Sequence, residues 1–340
     1  MTNAIWQLQH ITLKGDIANR LDDLTLTITS GVTAVVGHSG AGKTSLLNVL
    51  AGMEQPTGGS VRRLPAERTR TDVPCSPDSQ GPDSFSLPLF WAPQDGGLWP
   101  HLTVIGHLTA VFEPNSLKSG LSQQDSADFL DNLLGQFDLN HRRDAFPGKL
   151  SKGEQSRLAV CRALAANPAV LIMDEPLAHV DPIRRPVYWE LIRRHLQTAG
   201  ASLVFSTHEP DVAVRESEFV ICLQEGKIVH SGATQELYQH PPNKSAAEFL
   251  GPINWFDAAE ESCWLSENHA AGNHVAVRPE NLQLQVDENA DIEILSFQFC
   301  GGYSESHLKH IPTSSEKTIV HRPPGSIHAA GQRVRIKVLS

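Results

Sequence analysis

From the N-terminus to about Phe249, short apolar runs of β-prone residues alternate with longer stretches of helical character. This alternation predicts an α/β domain built on a largely parallel sheet. The segments Val32–Val36, Val170–Met173 and Leu203–Ser206 are apolar along almost their whole length, as expected of strands covered on both faces. Helices are expected to follow them at Gly42–Ala51, Pro182–Gln197 and Glu209–Glu216, with Pro182 in a first turn, where its missing N–H is not needed. Another helical block spans Gln124–Phe137. The stretch from 64 to 88 is rich in Pro, Ser and Asp and has no period, so an exposed, mobile loop is expected there. The pattern changes near Gly251–Pro252. Beyond it come short β segments at His274–Val277, Leu282–Val286, Ile292–Phe299, Lys317–His321 and Arg333–Leu339, punctuated by Gly, Pro and Asn. They predict a small, all-β barrel or sandwich over 251–340.

Composition narrows the classes of function. With 340 residues the chain has room for two cores, and 40% hydrophobic and 19% charged residues are ordinary for a globular protein. No apolar run approaches the roughly 20 residues that span a bilayer. MTNAIWQLQHITLKG lacks a basic region followed by an apolar core, so the chain is expected in the cytosol, with any membrane work done through a partner. A net charge of -10 argues against general nucleic-acid binding, which needs clustered Lys and Arg. The five cysteines (Cys75, Cys161, Cys222, Cys263 and Cys300) form no CxxC pair and read as reduced, structural residues. The sixteen histidines show no metal-ligand spacing, and His307 with His310 reads as a solvated surface pair.

Two segments carry chemistry. GHSGAGKT, Gly37 to Thr44, fits GxxxxGK[ST] between an expected strand and an expected helix. Its backbone N–H groups (Gly37, His38, Ser39, Gly40, Ala41, Gly42, and Ser45 just beyond) can turn inward onto anionic oxygens, aided by the helix N-terminus. Lys43 would reach the β- and γ-phosphates and the Thr44 hydroxyl would ligate Mg²⁺. The bland reading, a glycine-rich turn, leaves that flanking pattern unexplained. AVLIMDEP, Ala169 to Pro176, is an apolar strand closed by two carboxylates. Asp174 suits Mg²⁺ held through water, and Glu175, one residue on, suits polarising an attacking water.

Upstream, LSKGEQSR (Leu150 to Arg157) resembles the signature sequence of ABC ATPases, LSGGQ followed by QR, with Lys152 in place of a glycine and Glu154 in place of a glutamine. As a bare helix cap, Ser followed three residues later by Glu, it would also make sense. Gln94 in WAPQDGGLWPHLTV resembles the family's Q-loop glutamine, His208 in VFSTHEP its switch histidine, and Asp181 in LAHVDP its D-loop aspartate. The family's adenine-stacking aromatic has no counterpart near Lys14–Gly15–Asp16. Trp6, the nearest, is expected to pack in the first strand. FLGPINWF, VAVRPENLQL and GQRVRIKV resemble the C-terminal, OB-like TOBE extension of importer ATPases of the spermidine, ferric iron, sulfate and maltose kinds, and the front-half run GVTAVVGHSGAGKTSLLNVLAG resembles molybdate-type ATPases.

The resemblance implies a P-loop ATPase core over 1–250, with a helical subdomain at about 95–165, and a TOBE-like domain over 251–340. It implies ATP and Mg²⁺ as cofactors, with Thr44, Gln94 and Asp174 at the metal and Glu175 and His208 as the catalytic pair. It further implies a homodimer in which Ser151, Lys152, Gly153 and Asp181 of one copy complete the nucleotide site of the other. A transmembrane permease and, indirectly, a solute-binding protein would be the remaining partners, at the cytoplasmic face of the cell membrane. The alternatives are an exporter ATPase, an ABC ATPase acting on nucleic acid or ribosomes, and a subunit that binds ATP without turnover. The C-terminal β segments, the acidic balance, and the presence of Glu175 and His208 weigh against them in turn.

Overall fold

The computed structural model describes residues 3–64, 89–119, 123–265, 274–323 and 329–339. The loop expected at 64–88 lies, apart from Leu64, outside the described residues. The chain divides into two compact units, Met1–Thr234 and Gln235–Ser340.

The first unit contains, in order, β1 (Ala4–Lys14), β2 (Asn19–Thr29), β3 (Val32–Val36), α1 (Lys43–Leu50), β4 (Gly58–Arg63), β5 (Leu89–Ala92), α2 (Val104–Ser119) and α3 (Gln123–Gln136). Then follow α4 (Lys152–Ala165), β6 (Val170–Asp174), α5 (Arg185–Ala199), β7 (Ser202–Thr207), α6 (Pro210–Glu216), β8 (Phe219–Gln224) and β9 (Lys227–Ala233). Its main sheet has the order β5-β6-β7-β3-β8-β9, parallel except for β9. Every residue of β6 and β7 is buried, which accounts for their continuous apolarity. An antiparallel sheet, β2-β1-β4, supplies Trp6, Leu8, Ile11, Leu21 and Leu24 to the same core as α1. The helix expected from Pro182 begins three residues later, with Pro186 rather than Pro182 in its first turn. Asp181 causes the delay: its Oδ1 accepts from Ile183 N at 2.8 Å and its carbonyl from Arg184 and Arg185 N, so a turn precedes the helix.

The second unit takes in most of α7 (Thr234–Gln239) and continues with α8 (Lys244–Glu248), β10 (Asn254–Asp257), α9 (Ala258–Trp264), β11 (His274–Val277), β12 (Leu282–Val286), β13 (Ile292–Phe299), β14 (Ser304–His310), β15 (Ser315–His321) and β16 (Arg333–Val338). Five strands form an antiparallel sheet in the order β12-β16-β13-β14-β15. Its two edges meet where Arg322 N donates to Leu282 O at 2.8 Å, so the sheet curls toward a barrel around Leu284, Ile294, Leu308, Ile319 and Ile336. His307 and His310 are not a solvated pair. An odd spacing on β14 sends them to opposite faces, His307 to Glu316 and Thr318, and His310 to the buried side, against Thr313. Of the cysteines, Cys161 and Cys222 are buried, and burial pushes both thiols up, Cys222 to about 12; Cys263 is half-buried and Cys300 exposed.

The compact units part at Thr234/Gln235, upstream of the composition shift at Gly251. The reason is Arg278 of the RPE segment, which is buried and donates to the carbonyls of Tyr238, Ala247, Gly251 and Pro252 at 3.0–3.2 Å, binding the helical stretch before the shift to the strands after it. Its guanidinium also lies 4.2 Å from the centre of the Tyr238 ring. Replacing Arg278 by Ala is expected to destabilise the second unit by about 2–4 kcal/mol, since it strands carbonyls that have been removed from water. The check is urea unfolding followed by Trp fluorescence, with Arg278→Lys recovering only part of the loss.

Candidate nucleotide site

Four loops converge because four neighbouring parallel strands end together. Met173 is level with Ala92, Asp174 with Ser206, and Val36 with Thr207. The segments that leave those strands carry Gln94, Asp174–Glu175, His208 and the Gly37–Thr44 loop. Ligands of open α/β sheets bind at such carboxyl ends.

In the loop, Gly42 caps α1 at φ 103°, and a Cβ there would lie 2.6 Å from Arg20 O, so only glycine fits. Lys43 is buried and its Nζ donates to Gly37 O at 2.8 Å and His38 O at 3.1 Å, which stretches the loop around its own ammonium group. Thr44 Oγ1 donates to Asp174 Oδ2 at 2.7 Å, and Ser206 Oγ donates to Asp174 Oδ1. Ser206 also accepts from Glu175 N at 2.9 Å, so one hydroxyl holds both carboxylate residues. Glu175 itself sits at φ 49°, a left-handed conformation that a non-glycine residue adopts only when its surroundings enforce it. Its carboxylate lies 3.0 Å from His208 Nδ1 and accepts from Gln94 Nε2 at 3.4 Å.

These groups line one cleft of about 600 Å³, bounded by Ser39, Gly40, Gly42, Lys43, Thr44, Ser45, Gln94, Glu175 and His208, together with Arg20. Gly37, His38 and Ala41 belong to the loop without lining the cleft, and Asp174 stands behind Thr44. Ser151, Lys152, Gly153 and Asp181 are not brought to it. They gather instead at the start of α4 and the turn before α5, where a Cβ on Gly153 would lie 3.0 Å from His179 O. Ser151 caps α4 in a reciprocal box: Glu154 N donates to Ser151 Oγ at 3.2 Å and Ser151 N to Glu154 Oε2 at 2.8 Å.

That box decides what Glu154 does. Its carboxylate is turned back onto Ser151 N and is paired with Arg142 at 3.0 Å and His141 at 3.3 Å, so it does not stand out from the helix N-terminus. Burial pushes the group up, but the Ser151 N–H, the Arg142 guanidinium and the Ser151 hydroxyl together outweigh it and hold the carboxyl at about 2.

Three contributors escaped the sequence reading. Ser206 was hidden in an apolar strand, although a hydroxyl inside SLVFST is itself a signal. Arg162, a lone cation in LAVCRALA, donates to Gly97 O at 2.7 Å and Gly96 O at 2.9 Å and stacks 4.7 Å from the Trp99 ring, clamping the turn after Gln94. Burial pulls its pKa down to about 10, although Asp95 opposes this. Arg20 belongs to no motif.

The depressed pKa of Glu154 fixes a pH dependence. A carboxyl whose pKa is lower in the folded than in the unfolded state contributes stability above pH ~4.5 and loses it as pH falls toward 2. Glu154→Gln is therefore expected to flatten the acid limb of the unfolding curve between those values, read by circular dichroism across a pH series.

The ABC transporter family profile matches residues 21–178. The Fe(3+) ions import ATP-binding protein of Agrobacterium fabrum is 35% identical over 69% of this chain, which spans 62% of that protein's length. Its namesake from Yersinia enterocolitica is 34% identical, with 88% of each chain covered. The spermidine/putrescine import ATP-binding protein PotA 1 of Pseudomonas aeruginosa is 31% identical over 72% of this chain and 63% of its own. Among solved structures, an ATP-binding subunit of an ABC transporter superposes with a TM-score of 0.55 at 23% identity, covering 69% of this chain and 92% of its own. That likeness concerns the fold. Taken with the relative aligned over nearly its full length, these matches show that the chain belongs to the ABC transporter family, among its ATP-binding proteins.

Proposed function

We propose that this chain is the ATP-hydrolysing subunit of an ABC importer. The observation that carries the reading is the single cleft that joins the phosphate-binding loop to Glu175, Gln94 and His208. The N–H groups of the loop and the start of α1 would hold the β- and γ-phosphates, with Lys43 moving from loop carbonyls to phosphate oxygens at little cost in solvation.

Mg²⁺ fits the donors present. Thr44 Oγ1 and Asp174 Oδ2, 2.7 Å apart, with the Gln94 amide oxygen, form the sparse, all-oxygen set that this ion takes while keeping waters. Once bound, it would neutralise charge between the β- and γ-phosphates. Glu175 acts as the general base: its carboxylate would take a proton from the attacking water, with His208 and Gln94 fixing its direction. Ser206 keeps Glu175 and Asp174 apart and aimed at different tasks.

Two copies would share two ATP molecules, the Ser151–Gly153 turn of each facing the cleft of the other. The helix start supports this, since it offers N–H groups while the Glu154 charge is internally paired. Lys152, exposed in that turn, adds a cation. No helix among the described residues is long and apolar enough to cross a membrane, so the work would pass to a separate permease at the cytoplasmic face, supplied by a solute-binding protein. The second unit, with its curled five-stranded sheet, is read as the TOBE-like domain of importer ATPases. Relatives of the chain carry names of ferric iron, spermidine/putrescine and 2-aminoethylphosphonate import, and a solute of one of those classes is the natural first trial.

Glu175→Gln is expected to leave ATP binding within about twofold and to lower phosphate release by at least ~100-fold. Both are read on the same preparation, by titration calorimetry and a phosphate assay. Unchanged turnover would remove Glu175 as the base.

A further inference from the structure

One residue of the cleft wall belongs to none of the motifs: Arg20, on β2. Its backbone is locked in place. A Cβ on Gly42 would lie 2.6 Å from Arg20 O, and a Cβ on Gly226, in the β8–β9 turn, 2.9 Å from the same atom. Asp22 N donates to Gly226 O at 2.8 Å, and Gly226 N to Ala41 O at 3.1 Å, which ties β2, the phosphate loop and that turn together. The side chain is also fixed: its guanidinium forks onto the Glu54 carboxylate, Nη1 to Oε2 at 3.2 Å and Nη2 to Oε1. Such a fork sets the guanidinium plane, and the side chain remains 44% exposed.

The sheet order says which part of a nucleotide would meet Arg20. Gln94, Glu175 and His208 follow β5, β6 and β7, on one side of β3. Arg20 rests on the β8–β9 turn, on the other side of β3, with the phosphate loop between. A triphosphate whose γ end lies at Glu175 and whose body lies on the loop therefore sends its nucleoside toward Arg20. No Phe, Tyr or Trp among the described residues lines the cleft.

We propose that Arg20 is the platform for the nucleotide base, its guanidinium, held flat by Glu54, lying over the purine face. This rests on the nucleotide reading of the cleft and extends it to a substrate class. A cation over a ring senses the π face rather than the edge groups that distinguish adenine from guanine. The site therefore takes purine nucleoside triphosphates as a class, ATP and GTP with similar affinity.

The test is calorimetric titration of the full chain with Mg-ATP, Mg-GTP and Mg-tripolyphosphate, for the wild type, Arg20→Ala, Arg20→Tyr and Lys43→Ala. The expected result is wild-type affinities for ATP and GTP within about threefold of each other. Arg20→Ala should weaken both nucleotides about tenfold while leaving tripolyphosphate within twofold, which also reports an intact loop, and Arg20→Tyr should restore both. An unchanged ATP affinity in Arg20→Ala overturns the proposal. So does an equal loss for tripolyphosphate, which would make Arg20 a phosphate contact, and so does a wild-type preference for ATP over GTP beyond tenfold. A Lys43→Ala chain that keeps its tripolyphosphate affinity would instead remove the nucleotide reading of the cleft, and the proposal with it.

Discussion

The site depends on the register of parallel strands. Because β6 and β7 are buried on both faces and β5, β6, β7 and β3 are hydrogen-bonded level with one another, their carboxyl ends form one edge. Each loop leaves that edge within a residue or two of its functional group. A slip of one position in β6 would turn the Asp174 and Glu175 side chains toward opposite faces, and with them the partners of Thr44 and His208. The apolar side chains of Val170–Met173 thus contribute more than stability: they fix where two carboxylates stand.

The charges are managed by local pairing. Lys43 is wrapped by carbonyls, Asp174 is held by two hydroxyls, and Glu154 is shared among Arg142, His141 and its own helix cap. Arg162 donates through both terminal nitrogens to the carbonyls of Gly96 and Gly97 and lies over the Trp99 ring, although its buried Nε has no hydrogen-bond partner. A buried charge without such partners would cost several kcal/mol, and each of these sits beside a segment whose shape matters to the cleft. Where the sequence departs from the signature pattern, the charge of the acid is answered from behind by Arg142.

What the chain disclosed in advance follows its chemistry. The phosphate loop and the DE-closed strand were legible because their residue types serve few other purposes, β12 because its apolar residues alternate cleanly, and β11 and β13 because short apolar-rich runs stand between turn residues. By contrast β14 gave no signal: its inward residues are Ser304, Ser306, Leu308 and His310, so the buried face is mostly polar. The start of α5 was misplaced because Pro182 suits a turn as well as a first helical residue. Arg20 was silent because its meaning comes from Gly42 and Gly226, distant in sequence, pressing on its carbonyl.

The two sheltered thiols have a consequence for the chemistry of damage. Cys161 and Cys222 are kept protonated by their apolar surroundings, so neither offers the thiolate that peroxides and alkylating reagents attack. Among the described cysteines, the accessible sulfurs, Cys263 and Cys300, belong to the curled β unit. Of the described cysteines, Cys300 is therefore the one that oxidants reach first, which also makes it a ready attachment point for a spectroscopic label.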